Sequence, residues 1–399
     1  MSAVVSVAPI AAESAGERIY SAVARDNSTA PPHLVWIDAL RGWAFLGVLV
    51  CHVSQKLGNG LPGWMGYWVS DGRFGVQLFY IVSCLTLLMS LESRSRREAR
   101  PVAAFFIRRL FRIAPMFWLA IILYSCCFGR ESTAWAPHGI WGSMIAATAL
   151  FAHGWNPAWI NAAVPGGWSI AVEMNFYLLL PLFFMWVISL RRAVWLAVLG
   201  LFFSVGADRL LLHFVQPHVA AGNMSEFLSF RQYWLPSQIP VFALGGVLFH
   251  VLRQRGGTGG KSRSLALLLA LMALLIAGTG PSRFVRHDMV FAIALFLGAW
   301  AVALQPAAIF VNPITRYLGK ISYSGYLTHT AVVLLALRLF YSPSSPPVGA
   351  RSFAMLFFIA LILTVAVSSI TYQLVEEPGQ MLGKWVIAKT VNRAVRATA

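Results

Sequence analysis

Ten stretches of about 20 apolar residues leave this chain few folds to choose from. They fall at about 36–55, 73–92, 110–129, 168–189, 193–214, 234–252, 264–280, 287–304, 321–341 and 352–375. As a helix, a run of that length matches the hydrocarbon thickness of a bilayer. In lipid the backbone must bond within itself, so such runs span as helices or not at all. The expected fold is an all-α polytopic membrane protein with about ten transmembrane helices. Hydrophobic residues make up 58% and charged residues 11% of the chain, with a mean hydropathy of +0.69. Those values exclude soluble globular, fibrous and disordered chains.

The charges orient the spans. There are 31 Lys and Arg against 14 Asp and Glu, a net +17. In a soluble protein that excess would suggest nucleic acid, but in a membrane protein basic residues crowd the cytoplasmic loops. An eleventh run, 138–153, is short enough to be a thin span or an interfacial helix. If it does not cross and the N-terminus is inside, 22 of the 31 basic residues lie inside and 9 outside. If it crosses, the split is 16 to 15 and the bias vanishes. Ten spans with both termini cytoplasmic is the expectation, and 130–167 becomes an outer loop with a short helix. Residues 1–33 read as a polar, disordered cytoplasmic tail without a signal peptide. Residues 34–378 read as the membrane domain, ended by Glu376-Glu377-Pro378, and 379–399 as a basic cytoplasmic tail. The glycine-rich stretch 256–262 reads as a loop without phosphate-loop spacing, and 343–347 as an outer turn. The four cysteines all fall within apolar runs, so neither a disulfide framework nor a metal site is suggested.

Charged residues within spans mark function by default. Arg41 and His52 are eleven residues apart, about 16 Å and almost three full turns, so they share one helix face. Arg41 also reads as an anchor paired with Asp38, and His52 as a hydrogen-bonded core histidine. Arg108, Arg109 and Arg112 precede the third run, and their spacing puts at least two on one face. Clustered guanidinium forks suit pyrophosphate, or they set topology. Arg73 falls at the outer end of the second run, near the depth of His52. Glu173 falls about a turn and a half into the fourth run and needs a cation, a hydrogen bond or a proton. Arg73 is a possible partner for it. Ser322, Tyr323 and His329 read as groups that stitch helices together. Trp168, with Trp135, Trp141, Trp155 and Trp159, suits stacking on sugar rings or an ordinary interface belt.

These blocks together resemble the acyltransferase family three of membrane proteins. The resemblance rests on Asp38-Ala39-Leu40-Arg41-Gly42 with His52, and on Gly72-Arg73-Phe74-Gly75-Val76 with Ser83. It rests further on Arg108-Arg109 and Arg112 with Pro115, on Gly167-Trp168-Ser169 with Glu173, and on Leu318 to Ser324 with His329. It covers about residues 34–378. Cys84 stands where glycine is common, and Met174 follows Glu173.

The resemblance implies ten spans and transfer of an acyl group, usually acetyl from acetyl-coenzyme A, to hydroxyls of bacterial surface carbohydrates or macrolide-type molecules. Geometry and resemblance together put the donor's phosphates at Arg41, Arg108, Arg109 and Arg112, with His52 as general base. Glu173 and Arg73 would orient the base or stabilise the oxyanion. Trp168, Ser169 and Ser83 would touch substrate, and Asp38, Ser322, Tyr323 and His329 would support the site. Acetyl-coenzyme A is expected as donor substrate, with no permanently bound cofactor, in a bacterial cytoplasmic membrane. Some relatives carry a hydrolase-like domain outside the membrane. Here transfer is expected to finish in the membrane part or on a separate partner. A transporter or flippase for an anionic or glycan substrate is the alternative.

Overall fold

The computed structural model describes residues 32–57, 61–129, 135–136, 139–254, 259–278, 286–342 and 347–396. The N-terminal tail before residue 32, residues 256–258 of the glycine-rich stretch and most of the outer turn (343–346) lie outside the described residues, while 259–262, expected as loop, open a helix. Among those described, helix dominates and no strand forms.

Helix α1 (Pro32–Ser54) is followed by short α2 (Gly63–Ser70), which passes through a 3-10 turn at Asp71–Phe74 into α3 (Gly75–Ser95). Next come α4 (Pro101–Cys127), α5 (Gly142–Ala149), α6 (Gly167–Trp186) and α7 (Leu190–Leu210). Helices α8 (Met224–Tyr233), α9 (Leu235–Gln254), α10 (Gly259–Gly278) and α11 (His287–Leu304) follow. The chain closes with α12 (Pro313–Lys320), α13 (Ser322–Phe340), α14 (Gly349–Thr371) and α15 (Glu377–Arg396). Every one of the ten apolar runs falls on a helix. Among the described residues, eight helices are long and apolar enough to cross a membrane. In α10 the described stretch Arg263–Ile276 is apolar, and the first half of α13 carries Ser322, Ser324, Thr328, His329 and Thr330.

Two boundaries differ from the expectation. α4 begins at Pro101, not at Leu110, because Pro fits the first turn of a helix, where no N–H is needed. Arg108, Arg109 and Arg112 therefore lie inside the helix, about 10 to 17 Å from its start. Pro378 does not end the last helix either. Residues Tyr372–Glu376 form a π turn, and Pro378 falls in the first turn of α15. The segment after 378 is thus helical as far as Arg396. Its Gly379 and Gly383 lie against Phe111 and Pro115 of α4, and its Ile387 and Val391 pack with Ala104.

The core is built around α3, which packs on α1 and α9, with α4, α6 and α13 closing the bundle. Fully buried Phe45, Tyr80, Phe117, Phe176 and Phe242 fill it. α1 meets α12 backbone to backbone: a Cβ on Gly319 would overlap Asp38, and one on Gly42 would overlap Thr315. That contact fixes the depth of Arg41. The opposite surfaces are greasy. Leu182, Met185, Phe202, Phe358 and Ile362 are each 60% exposed or more. A continuous apolar surface of this kind belongs in lipid, and the chain is an integral membrane protein.

Candidate active site

A solvent-open cavity lies among α1, α3, α4, α6 and α13. Arg41, Arg109 and Arg112 line it, together with Ser83, Glu173 and Tyr177. Arg41 is tied on both sides, from Nη1 to the Asp38 carboxylate at 3.3 Å and from Nη2 to the Thr86 hydroxyl at 3.3 Å. Thr86 in turn donates to the Ser83 carbonyl at 2.9 Å. Arg109 has no such tether. Its guanidinium lies over the rings of Phe105 and Tyr177 at 5.8 and 5.9 Å, and its buried Nε has no hydrogen-bond partner. A half-buried cation held by ring faces alone is an incomplete ion site.

Glu173 supplies the one carboxylate that lines the cavity. Ser83 Oγ and Tyr177 OH both donate to its Oε1, at 2.5 and 2.6 Å. Among the described residues three guanidinium groups and one carboxylate line the cavity, while Asp38 pairs with Arg41 from outside it. Glu376 stands behind it, buried, accepting from Ser324 Oγ at 3.0 Å and within electrostatic reach of Arg112 and Arg41.

At its other end the cavity is bounded by Phe79 and Tyr326. Tyr326 OH donates to the Gly166 carbonyl at 3.0 Å and accepts from Ser169 Oγ at 2.8 Å. This ties α13 to the start of α6, where Gly166 takes a left-handed φ of +80° that suits glycine. His52 does not line the cavity. Its ring packs on His329, centroids 4.9 Å apart, and His329 lies 5.7 Å from the Tyr326 ring.

Against this geometry the whole chain can be placed among known proteins. The family model described as "Acyltransferase domain" (Acyl_transf_3) matches residues 34–373. The chain belongs to acyltransferase family three. Within the family it is 22% identical over 375 residues to O-acetyltransferase OatA of Staphylococcus aureus (strain NCTC 8325), with 88% of this chain and 57% of OatA covered. It is 24% identical over 392 residues to acyltransferase MdmB of Streptomyces mycarofaciens, with 87% of this chain and 92% of MdmB covered. The chain therefore spans little more than half the length of OatA but nearly all of MdmB. No solved structure matches it.

The family's blocks do not all meet in one place. Arg41, Ser83, Arg109, Arg112, Ser169, Glu173, Ser322 and Tyr323 share the cavity. Asp38 holds Arg41 from outside it. Arg108 points elsewhere and forms a two-pronged pair with Glu98, at 2.9 and 2.8 Å. Glu173 keeps company with the arginines rather than with His52 or Arg73. Arg73 sits in the 3-10 turn, 3.6 Å from buried Asp71 and over the Phe74 ring. Trp168 stacks on Tyr233 of α8, with ring planes 11° apart and centroids 4.2 Å apart. Sequence reading gave no role to Tyr177, Phe79 or Tyr326. The four-residue step from Glu173 to Tyr177 on one helix face is the signal that pointed to the first. The other two are ordinary aromatic residues in apolar runs, with nothing in the pattern to set them apart.

Proposed function

We propose that the chain is a membrane O-acyltransferase that moves an acyl group, acetyl in the simplest case, from acyl-coenzyme A to a hydroxyl of a carbohydrate or a related acceptor. The observation that carries this reading is the convergence of Arg41, Arg109 and Arg112 on one cavity inside a membrane bundle, with Arg109 lacking a counter-ion. A donor with a pyrophosphate head and a slender apolar arm suits such a site, since paired guanidinium forks bind phosphate in two-pronged fashion. In this reading the arginine end faces the cytoplasm, where acyl-coenzyme A is made, and the membrane is the bacterial cytoplasmic membrane.

His52 acts as general base. Its neutral imidazole takes the acceptor's hydroxyl proton as the oxygen attacks the thioester carbonyl. The tetrahedral intermediate collapses, the C–S bond breaks, and the proton passes from the imidazolium to the thiolate. The products are an O-acyl ester and free coenzyme A. Glu173, held by Ser83 and Tyr177, orders the arginines around the donor and does not touch the base. The thioester reaches His52 past Phe79 and Tyr326. Of the two, Tyr326 is held by hydrogen bonds and buried, whereas Phe79 is half-buried and carries no polar anchor, so Phe79 is the side that yields.

The test supplies labelled acetyl-coenzyme A to the arginine face of membrane vesicles that contain the protein. Label is expected in an acceptor fraction with the wild type and not with His52→Ala present at equal abundance. Label that stays in the donor with the wild type, or transfer that persists in His52→Ala, overturns the reading.

A further inference from the structure

The two imidazoles beyond Tyr326 are not equivalent. His329 is fully buried, and both of its ring nitrogens are engaged: Nδ1 lies 2.7 Å from the Tyr326 carbonyl and Nε2 3.3 Å from the Thr330 hydroxyl. A carbonyl only accepts, so Nδ1 carries the proton, and the Nε2 lone pair is capped by the Thr330 hydroxyl. The ring is therefore a neutral imidazole of fixed tautomer with no nitrogen left for a substrate.

His52 is the opposite case. It is half-buried, and its side-chain partner among the described residues is Gln55, in the turn that follows α1. Among the described residues its other ring nitrogen has no hydrogen-bond partner. The His329 ring packs against it with centroids 4.9 Å apart and planes at 50°.

The support behind His329 is rigid. The carbonyl that accepts from Nδ1 belongs to Tyr326, whose hydroxyl is pinned to Gly166 and Ser169 at the start of α6. Nearby, Tyr124 of α4 donates to the Leu327 carbonyl at 3.1 Å and accepts from the Ala331 amide at 3.1 Å. Three helices thus hold one buried ring that packs against the His52 ring of α1.

We propose that His329 is a positioning residue for His52: a buried, tautomer-locked imidazole that sets the orientation of the base ring and aims its free nitrogen at the acceptor hydroxyl. The inference rests on the reading of His52 as base. It assigns the two histidines separate work, with proton transfer on α1 and orientation on α13. The geometry explains why the residue is a histidine. A ring is needed to pack on a ring, and two opposed nitrogens are needed to fix it to Tyr326 and Thr330. Leucine would fill the volume and hold neither.

The experiment measures labelled acetyl transfer in vesicles at varied acetyl-coenzyme A for wild type, His52→Ala, His329→Leu, His329→Gln and Thr330→Val. The abundance and thermal midpoint of each solubilised variant are followed alongside. His329→Leu is expected to lose about 100-fold in kcat, the scale of a misplaced catalytic group, with its KM for acetyl-coenzyme A within about twofold of wild type. His329→Gln, which keeps a donor and an acceptor, is expected to recover about tenfold of that loss. Thr330→Val leaves the ring in place and uncaps Nε2. It is expected to lose several-fold in kcat and keeps the test open if His329→Leu does not insert.

Wild-type kcat in His329→Leu, with His52→Ala dead, overturns the positioning role and leaves the base reading intact. Wild-type kcat in Thr330→Val when His329→Leu fails to insert overturns it too. Loss that tracks abundance and raises KM, with no recovery by Gln, marks a helix stitch and overturns it as well. A wild type that transfers no label overturns the functional reading and this inference with it.

Discussion

Adjacent arginines on one helix do opposite jobs. Arg108 spends both prongs on Glu98, while Arg109 faces the cavity with no carboxylate of its own. A charge-assisted hydrogen bond to a ligand is worth about 1.5–3 kcal/mol. Arg109→Ala is therefore expected to raise the KM for acetyl-coenzyme A by about 10- to 100-fold. Arg108→Ala should leave it within about threefold and lower stability by about 1 kcal/mol instead. Donor titrations of the two variants check the contrast. Equal effects on KM would mean that Arg108 also reaches the donor. Glu98 adds a pH signature. Burial pushes its carboxyl up, but the hydrogen bonds and charges of Arg108 and Arg94 outweigh that and hold it below the usual carboxylate range. Its folded pKa is thus depressed. The stability it contributes is present above the unfolded value of about 4.3 and is lost as the pH falls through the folded one. The thermal midpoint of solubilised wild type should fall more between pH 6 and pH 3 than that of Glu98→Gln. The difference should stay below about 1 kcal/mol, because the pair is part-exposed.

Helices were legible because lipid imposes length and apolarity on every span, and all ten runs fall on helices. Their ends were less so. Charge marks a boundary for a reader who expects charge to avoid lipid. The run after Arg109 therefore looked like the start of a helix that in fact begins at Pro101. That offset is why the arginines proved to be cavity residues rather than residues at the membrane's edge. Glu173 likewise lines the arginine cavity, whereas His52 does not. Spacing within one helix was readable, as for Arg41 and His52. Contacts between helices were not, because nothing in a linear pattern says that Phe79 of α3 meets Tyr326 of α13. Their rings, at 79° with centroids 6.2 Å apart, lie between the arginine cavity and the histidines. Phe79→Trp is expected to lower acetyl transfer about tenfold by thickening that barrier. Phe79→Ala should raise the release of free coenzyme A to water without acceptor. Assay of free thiol against labelled product measures both. Wild-type transfer in the Trp variant would mean that the thioester takes another path.

At the scale of the molecule, the proposed function requires the arginine end to face the cytoplasm, and in that reading the orientation depends on one short helix. α5 has eight residues and rises about 12 Å, against about 30 Å of hydrocarbon. It cannot cross as a straight helix. In the proposed topology the chain leaves α4 and enters α6 on the same side, and the ends of α3 and α6 share the opposite one. The basic residues follow the same division, with the 94–112 cluster and Arg191–Arg192 together on one face. Exposed Cys126 and Cys127 are first replaced by Ser, leaving Cys51 and Cys84 buried. Ser143→Cys, in α5, and Ser189→Cys, just ahead of α7, then report the two faces. A membrane-impermeant maleimide on intact cells is expected to label position 143 and to reach 189 only after permeabilisation. The reverse pattern would put Arg41, Arg109 and Arg112 at the outer face. Cytoplasmic acyl-coenzyme A could not then enter from that side, and the donor would have to be an anion found outside the cell.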